Sequence, residues 1–203
     1  MDLLIVRHAR PEREEKQEGQ GPADPGLSEI GQRQAEAIAN FLEGEKIDQI
    51  VSSSMKRAQQ TATPLARRLG IEVIQRDDLR ESDHNSSVYI PVEEMTVDSP
   101  AIQMYMNDPS AIFEGDYEGF RNRVLQAFDE VIRNFPSQKV AVFCHGMVIS
   151  VYLQTLWGLS NPLVIRPDYT GITRVEASST GLRTVRSINE TGHVRHLIER
   201  PNF

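Results

Sequence analysis

Apolar positions along this chain fall into two patterns: short continuous runs, and longer stretches in which they recur every three or four residues. Residues 3–6 (Leu-Leu-Ile-Val) form a run that ends on a β-branched pair, the mark of a buried strand, and Arg7, His8 and Ala9 follow where the chain leaves it. Residues 140–144 form a second run of the same kind, which also delivers a histidine, His145, followed by Gly146. Residues 47–51 and 71–74 predict two further strands, and residues 171–177 and 182–188 a final pair around a Ser-Ser-Thr-Gly turn.

Between the runs lie helical stripes. Ile30, Ile38, Phe41 and Leu42 share a face, with Ser28 placed to cap, Glu29 suited to the positive helix end and Gly44 marking the stop. Met55, Ala58, Ala62, Leu65, Ala66 and Leu69 form a second stripe. Ser53 or a neighbouring serine is expected to cap that helix, and Pro64 to bend or split it. Phe120, Val124, Phe128, Val131, Ile132 and Phe135 make a third stripe, stopped by Pro136, and another helix begins at Gly146. Strands alternating with helices, without a repeat or a linker, predict a single α/β domain over residues 1–203.

Two stretches resist the pattern. Residues 10–26 are rich in charge, Gly and Pro and read as a loop, expected over the mouth of a pocket. Residues 86–115 carry Pro91, Pro100 and Pro109 with weak periodicity, and read as part of a cap insertion around 82–116 with short helices.

Candidate chemistry gathers at the strand ends, where open α/β sheets bind ligands. His8 and His145 leave two strands, and residues 52–62 (Ser-Ser-Ser-Met-Lys-Arg-Ala-Gln-Gln-Thr-Ala) lie between them in sequence. Arg57 falls off its apolar stripe near a helix N-terminus, where free amides already favour an anion. Cys144 precedes His145, but neighbouring strand residues point to opposite faces, so the two are not expected to meet.

The Arg-His-Ala triplet after the first strand, the Ser-Ser-x-x-x-Arg-Ala-x-x-Thr-Ala run and the late His-Gly together resemble the histidine phosphatase (phosphoglycerate mutase-like) superfamily. Residues 27–35 are similar to the family's Leu-Ser/Thr-x-x-Gly-x-x-Gln-Ala signature, and residues 189–194 to its terminal Asn-Asp-x-x-His-Leu. The resemblance implies a three-layer α/β/α sandwich with a mostly parallel sheet, and a metal-independent phosphomonoesterase acting through a phosphohistidine. It implies His8 as nucleophile, Arg7, Arg57 and His145 as phosphate ligands, and Glu81, in Leu79-Arg80-Glu81, as the acid that protonates the leaving group. A solvated acidic loop is the rival reading of Glu81, given Asp77, Asp78 and Asp83 beside it. Arg10, Arg13 and His84 are near enough in sequence to be weighed as substrate contacts, with an exposed loop histidine the safer reading of His84; His193 reads as structural.

The chain also departs from the family. Ala9, Arg10 and Glu14 stand where phosphoglycerate mutases carry Gly, Glu and Asn, and no Gly-x-Trp-Glu-Gly follows the acid. A phosphoglycerate-type mutase is therefore the second reading, and a catalytically idle phosphoester-binding module the third.

Composition narrows the partners. A net charge of −7 argues against a nucleic-acid binder but leaves room for a local cationic pocket and a small phosphorylated substrate. One Cys precludes an intramolecular disulfide and fits a reducing compartment, and no signal peptide is expected, so the expected location is cytoplasmic. Residues 140–165 lack formal charge, but His145, Gly146, Ser150, Gln154, Asn161 and Pro162 favour a buried strand and helix over a membrane span. The five histidines show no metal-ligand spacing, so neither a metal nor another cofactor is expected.

Overall fold

The computed structural model describes residues 1–161 and 165–198, so Pro162 lies outside the described residues. Every predicted strand and helix is present. In chain order they are β1 (Asp2–Arg7), β2 (Glu14–Glu15), α1 (Glu29–Leu42), β3 (Gln49–Ser53), α2 (Lys56–Leu69), β4 (Val73–Arg76), β5 (Val88–Tyr89), α3 (Pro100–Asn107), α4 (Tyr117–Asn134), β6 (Lys139–Cys144), α5 (Gly146–Trp157), β7 (Ile172–Ala177) and β8 (Arg183–Glu190).

The central sheet has six strands in the order β4-β3-β6-β1-β7-β8. β4, β3, β6 and β1 pair in parallel, while β7 and β8 close one edge antiparallel. Consecutive strand residues face opposite sides, and the core divides accordingly. Leu3, Ile5, Val140 and Val142 pack with Val124, Phe128, Ile149 and Leu153 of α4 and α5. Leu4, Val6, Ala141 and Phe143 pack on the other face with Ile38, Leu42, Ala62 and Leu65 of α1 and α2. A strand buried on both faces must be continuously apolar, which is why β1 and β6 were so plain in the sequence.

Local chemistry departs from expectation at several points. Ser28 does cap α1, its Oγ accepting from the Gly31 N–H at 3.2 Å. α2 is led by Met55 without a side-chain cap; within that turn the Ser53 Oγ reaches the Met55 N–H, at 3.3 Å, and no amide of the helix itself. Pro64 does not split α2, which runs unbroken from Lys56 to Leu69. Phe41 is 47% exposed rather than core, its ring stacked on His193 with centroids 5.0 Å apart. No described helix is long and apolar enough to cross a membrane.

The loop after β1 runs beside the segment after Glu81: its β2 pairs antiparallel with β5, whose Val88 and Tyr89 line the cavity described below, while none of residues 10–26 lines it. That later segment does carry the expected short helices, α3 and single turns at Val92–Glu94 and Pro109–Phe113.

Candidate active site

β1 and β6 are adjacent and parallel, with Arg7 in register with Cys144, so the residues that follow them emerge side by side. The His8 and His145 rings lie 5.1 Å apart, and both side chains are almost wholly buried, at 2% and 0% exposure. β3 ends beside β6 and leads into α2, which brings Arg57 to the same place with 0% exposure. Arg57 is thus no surface residue off the apolar stripe but one of the largest fully buried side chains.

The sequence motifs hold this point in place through backbone contacts. The Thr61 Oγ1 accepts from the Ala9 N–H at 2.9 Å and donates to the Arg57 carbonyl at 2.6 Å, tying the exit of β1 to α2. The Arg10 carbonyl accepts from the Ser28 N–H and hydroxyl at 3.0 and 3.1 Å, and the Arg10 N–H donates to the Gln34 Oε1 at 2.9 Å. Gly31 is required there: a Cβ would stand 1.9 Å from the Arg10 carbonyl oxygen.

Hydrogen bonds fix the state of each histidine. The His8 Nδ1 lies 2.8 Å from the Ala9 carbonyl, which can only accept, so Nδ1 carries the proton and Nε2 keeps its lone pair. Burial, and then the positive charges of Arg57 and Arg7, hold the His8 pKa well below the ordinary 6.5. His145 accepts from the Arg57 Nε at Nδ1 (3.3 Å), which leaves its Nε2–H to donate to the Ser53 Oγ (2.8 Å). Burial and the same arginines keep it neutral too. Both His145 nitrogens are therefore engaged, and the residue orients Arg57; the direct phosphate contact expected of it would require one of these bonds to break.

The two guanidinium groups are oriented but not satisfied. Arg7 donates from Nη1 to the Pro167 carbonyl at 2.8 Å and lies 4.0 Å over the Tyr169 ring. Arg57 donates from Nη2 to the Asp83 Oδ1 at 2.8 Å and lies 4.8 Å from the Tyr89 ring centre. The Arg7 Nε and Arg57 Nη1 are buried without a hydrogen-bond partner among the described residues. A buried orphan donor costs about 1–3 kcal/mol, which an anion between the two would recover.

Glu81 is not part of a solvated acidic loop. It is 8% exposed, its Oε1 accepting from the Ser82 N–H and its Oε2 from the Met147 N–H at the start of α5, both at 2.9 Å. Burial, followed by the charge of Asp83, raises its pKa against the pull of those bonds and of Arg57. Arg7, His8, Arg57 and Glu81 line one cavity of about 560 Å³.

The comparisons decide the family. The family model of the histidine phosphatase superfamily (branch 1) matches residues 3–191. This chain belongs to that superfamily. It is 33% identical over 161 residues to phosphoserine phosphatase 1 of Hydrogenobacter thermophilus, covering 77% of this chain and 76% of that one. It is 29% identical over 198 residues to a bifunctional protein of Mycobacterium tuberculosis, covering 95% of this chain. The chain spans about half (54%) of that relative's length. A crystal structure of a phosphoserine phosphatase mutant from Entamoeba histolytica in complex with phosphoserine superimposes with a TM-score of 0.73 at 20% identity, over 95% of this chain and 98% of that one. That likeness supports the expected fold, an α/β sandwich of the histidine phosphatase type.

Within the superfamily site, two of the weighed substrate contacts fall elsewhere. Arg10 is ion-paired with Glu93 and, at 2.6 Å, with Glu94, and His84 turns its Nδ1 to the Glu81 carbonyl at 2.8 Å; neither lines the cavity. Arg13 is exposed beside Glu15. Conversely, Tyr89, Asp83 and Tyr169 flank the arginines without having been picked out as site residues. Cys144 faces the core beside α4 and α5, and burial pushes its thiol pKa up, away from reactivity. Among the described residues, no three His, Cys, Asp or Glu side chains gather to hold a metal ion.

Proposed function

We propose that the chain is a phosphomonoester hydrolase working through a phosphohistidine on His8. The observation that carries this reading is the grouping, in one cavity, of an unprotonated His8 Nε2, two arginines each keeping an orphaned buried donor, and a protonatable Glu81. A phosphomonoester dianion repels nucleophiles until fixed positive charge compensates it, and two guanidinium forks match its oxygens. One unit-charge pair about 4 Å apart is worth roughly 4 kcal/mol at an effective dielectric near 20, of which only the share that grows in the transition state accelerates reaction.

His8 Nε2 attacks phosphorus in line, the P–O ester bond breaks, and Glu81 gives its proton to the departing oxygen. Water then attacks the phosphohistidine, returning a proton to Glu81, and inorganic phosphate leaves. His145 holds Arg57 in orientation. The test is phosphate release from a panel of phosphomonoesters in the presence of chelator, comparing wild type with His8→Ala and checking each reaction for isomerised product. Release that persists in chelator and vanishes in the variant is the expected result. Isomerisation without release would favour the mutase reading, and binding without turnover the idle module.

A further inference from the structure

We propose that the alcohol part of the substrate is apolar and uncharged, an aryl or branched-alkyl group rather than a hydroxy or amino acid. The inference rests on the hydrolase reading of the same cavity and deepens it.

Away from His8, the cavity is walled by Val88, Ile90, Val92, Met95, Ile102 and Ile112, all from the segment after Glu81. Its volume of about 560 Å³ is far more than a phosphate needs, and falls in the range that encloses a small organic ligand. A phosphorylated hydroxy or amino acid brings a carboxylate, which buried in such a wall would need a cation held there. Asp83 is paired with Arg57, so the charges left beyond the phosphate end are Glu114, of the wrong sign, and Arg166, whose exposed side chain stays in water. Arg10 is ion-paired with Glu93 and Glu94 and does not line the cavity. An apolar group needs no such partner and gains by leaving water.

Burying roughly 50–100 Å² of ring or branched-chain surface at about 25 cal/mol per Å² corresponds to an advantage of ~10- to 100-fold. The experiment compares kcat/KM for phenyl, naphthyl and isoamyl phosphate with that for phosphoserine and 3-phosphoglycerate. In parallel, calorimetry measures binding of benzylphosphonate and phosphonoacetate, which cannot be hydrolysed at phosphorus. The same series is run on Met95→Lys and on Val88→Lys, the latter at a side chain already 37% exposed, so that folding is not at issue.

The expected result is a 10- to 100-fold preference for the apolar esters and for benzylphosphonate, reduced about tenfold or more in the lysine variants. Turnover that favours phosphoserine or 3-phosphoglycerate, or is indifferent, would overturn the inference and leave the hydrolase standing. Tighter binding of benzylphosphonate with no ester hydrolysed would uphold the ligand class and overturn the hydrolase. Absence of both binding and turnover would overturn both.

Discussion

Replacing Glu81 by Gln separates acid catalysis from mere structure. The carboxylate accepts two backbone N–H bonds, from Ser82 and Met147, each at 2.9 Å. An amide can accept one of them and must turn its NH₂ toward the other donor. The lost bond is worth about 1.5–3 kcal/mol, since it involves a charged acceptor. Against that, the variant no longer buries a carboxylate beside Asp83. The net loss should be about 1–2 kcal/mol, lowering Tm by roughly 2–8 °C in a chain of this size. Activity should respond more sharply, and unevenly. For an alkyl phosphate, whose alkoxide cannot leave without a proton, kcat/KM should fall about 10²–10⁴-fold. For p-nitrophenyl phosphate, whose leaving group departs as a stable anion, the loss should stay within about tenfold, because the proton is not needed in that step. Steady-state kinetics on both esters, with thermal unfolding of both proteins, reads out the difference. Equal losses on the two esters would refute the assignment of Glu81 as proton donor, and would make it a structural or electrostatic element of the site.

Further outcomes follow from the geometry. Gly146→Ala would place a methyl 3.6 Å from the Arg7 Nε and 3.8 Å from the Glu81 Oε2, a tolerable contact that intrudes on the anion's space. We expect an unchanged or slightly higher Tm, since Ala favours the helix, with kcat/KM down roughly 10- to 100-fold. Gly31→Ala puts a Cβ 1.9 Å from the Arg10 carbonyl oxygen, so denaturant unfolding should show a loss of about 1–3 kcal/mol or more. For the pH profile, His8 must be neutral, and its pKa lies well below 6.5, so activity is lost only as pH falls through that low value. Glu81 must be protonated, with a pKa raised above 4.5, so activity is lost as pH rises through it. The kcat/KM profile for an alkyl ester should therefore be a bell whose acid limb belongs to His8 and whose alkaline limb belongs to Glu81. Asp83→Asn, which removes one cause of the Glu81 shift, should move the alkaline limb to lower pH.

The parts of the fold legible in the sequence were those with a local cause. β1 and β6 are buried on both faces, so they had to be unbroken apolar runs, and the histidines that follow them could be placed at the sheet's edge without knowing the rest. Ser28, Gly31, Gln34 and Thr61 were legible as a motif but not as a mechanism. Their shared task, fixing the backbone of residues 9 and 10, depends on contacts between elements distant in sequence. The same limit hid the burial of Arg57. A fully buried arginine looks like a surface one in sequence, because His145, Asp83 and Tyr89, which compensate it, come from other elements. Arg10 misled for the opposite reason. Its position after His8 suggested a substrate contact, but the partners that claim it, Glu93 and Glu94, sit in the stretch with least periodicity.

A covalent bond between His8 and phosphorus distinguishes this mechanism from direct attack by water, and it can be trapped. The enzyme is mixed with a radiolabelled phosphomonoester, quenched in denaturant at high pH within a turnover, and mapped by peptide mass spectrometry. Label stable in base and labile in acid, approaching one per chain, should appear on the peptide holding His8 and be absent from His8→Ala. Full turnover with no trapped label, accompanied by an active His8→Ala variant, would contradict the covalent mechanism.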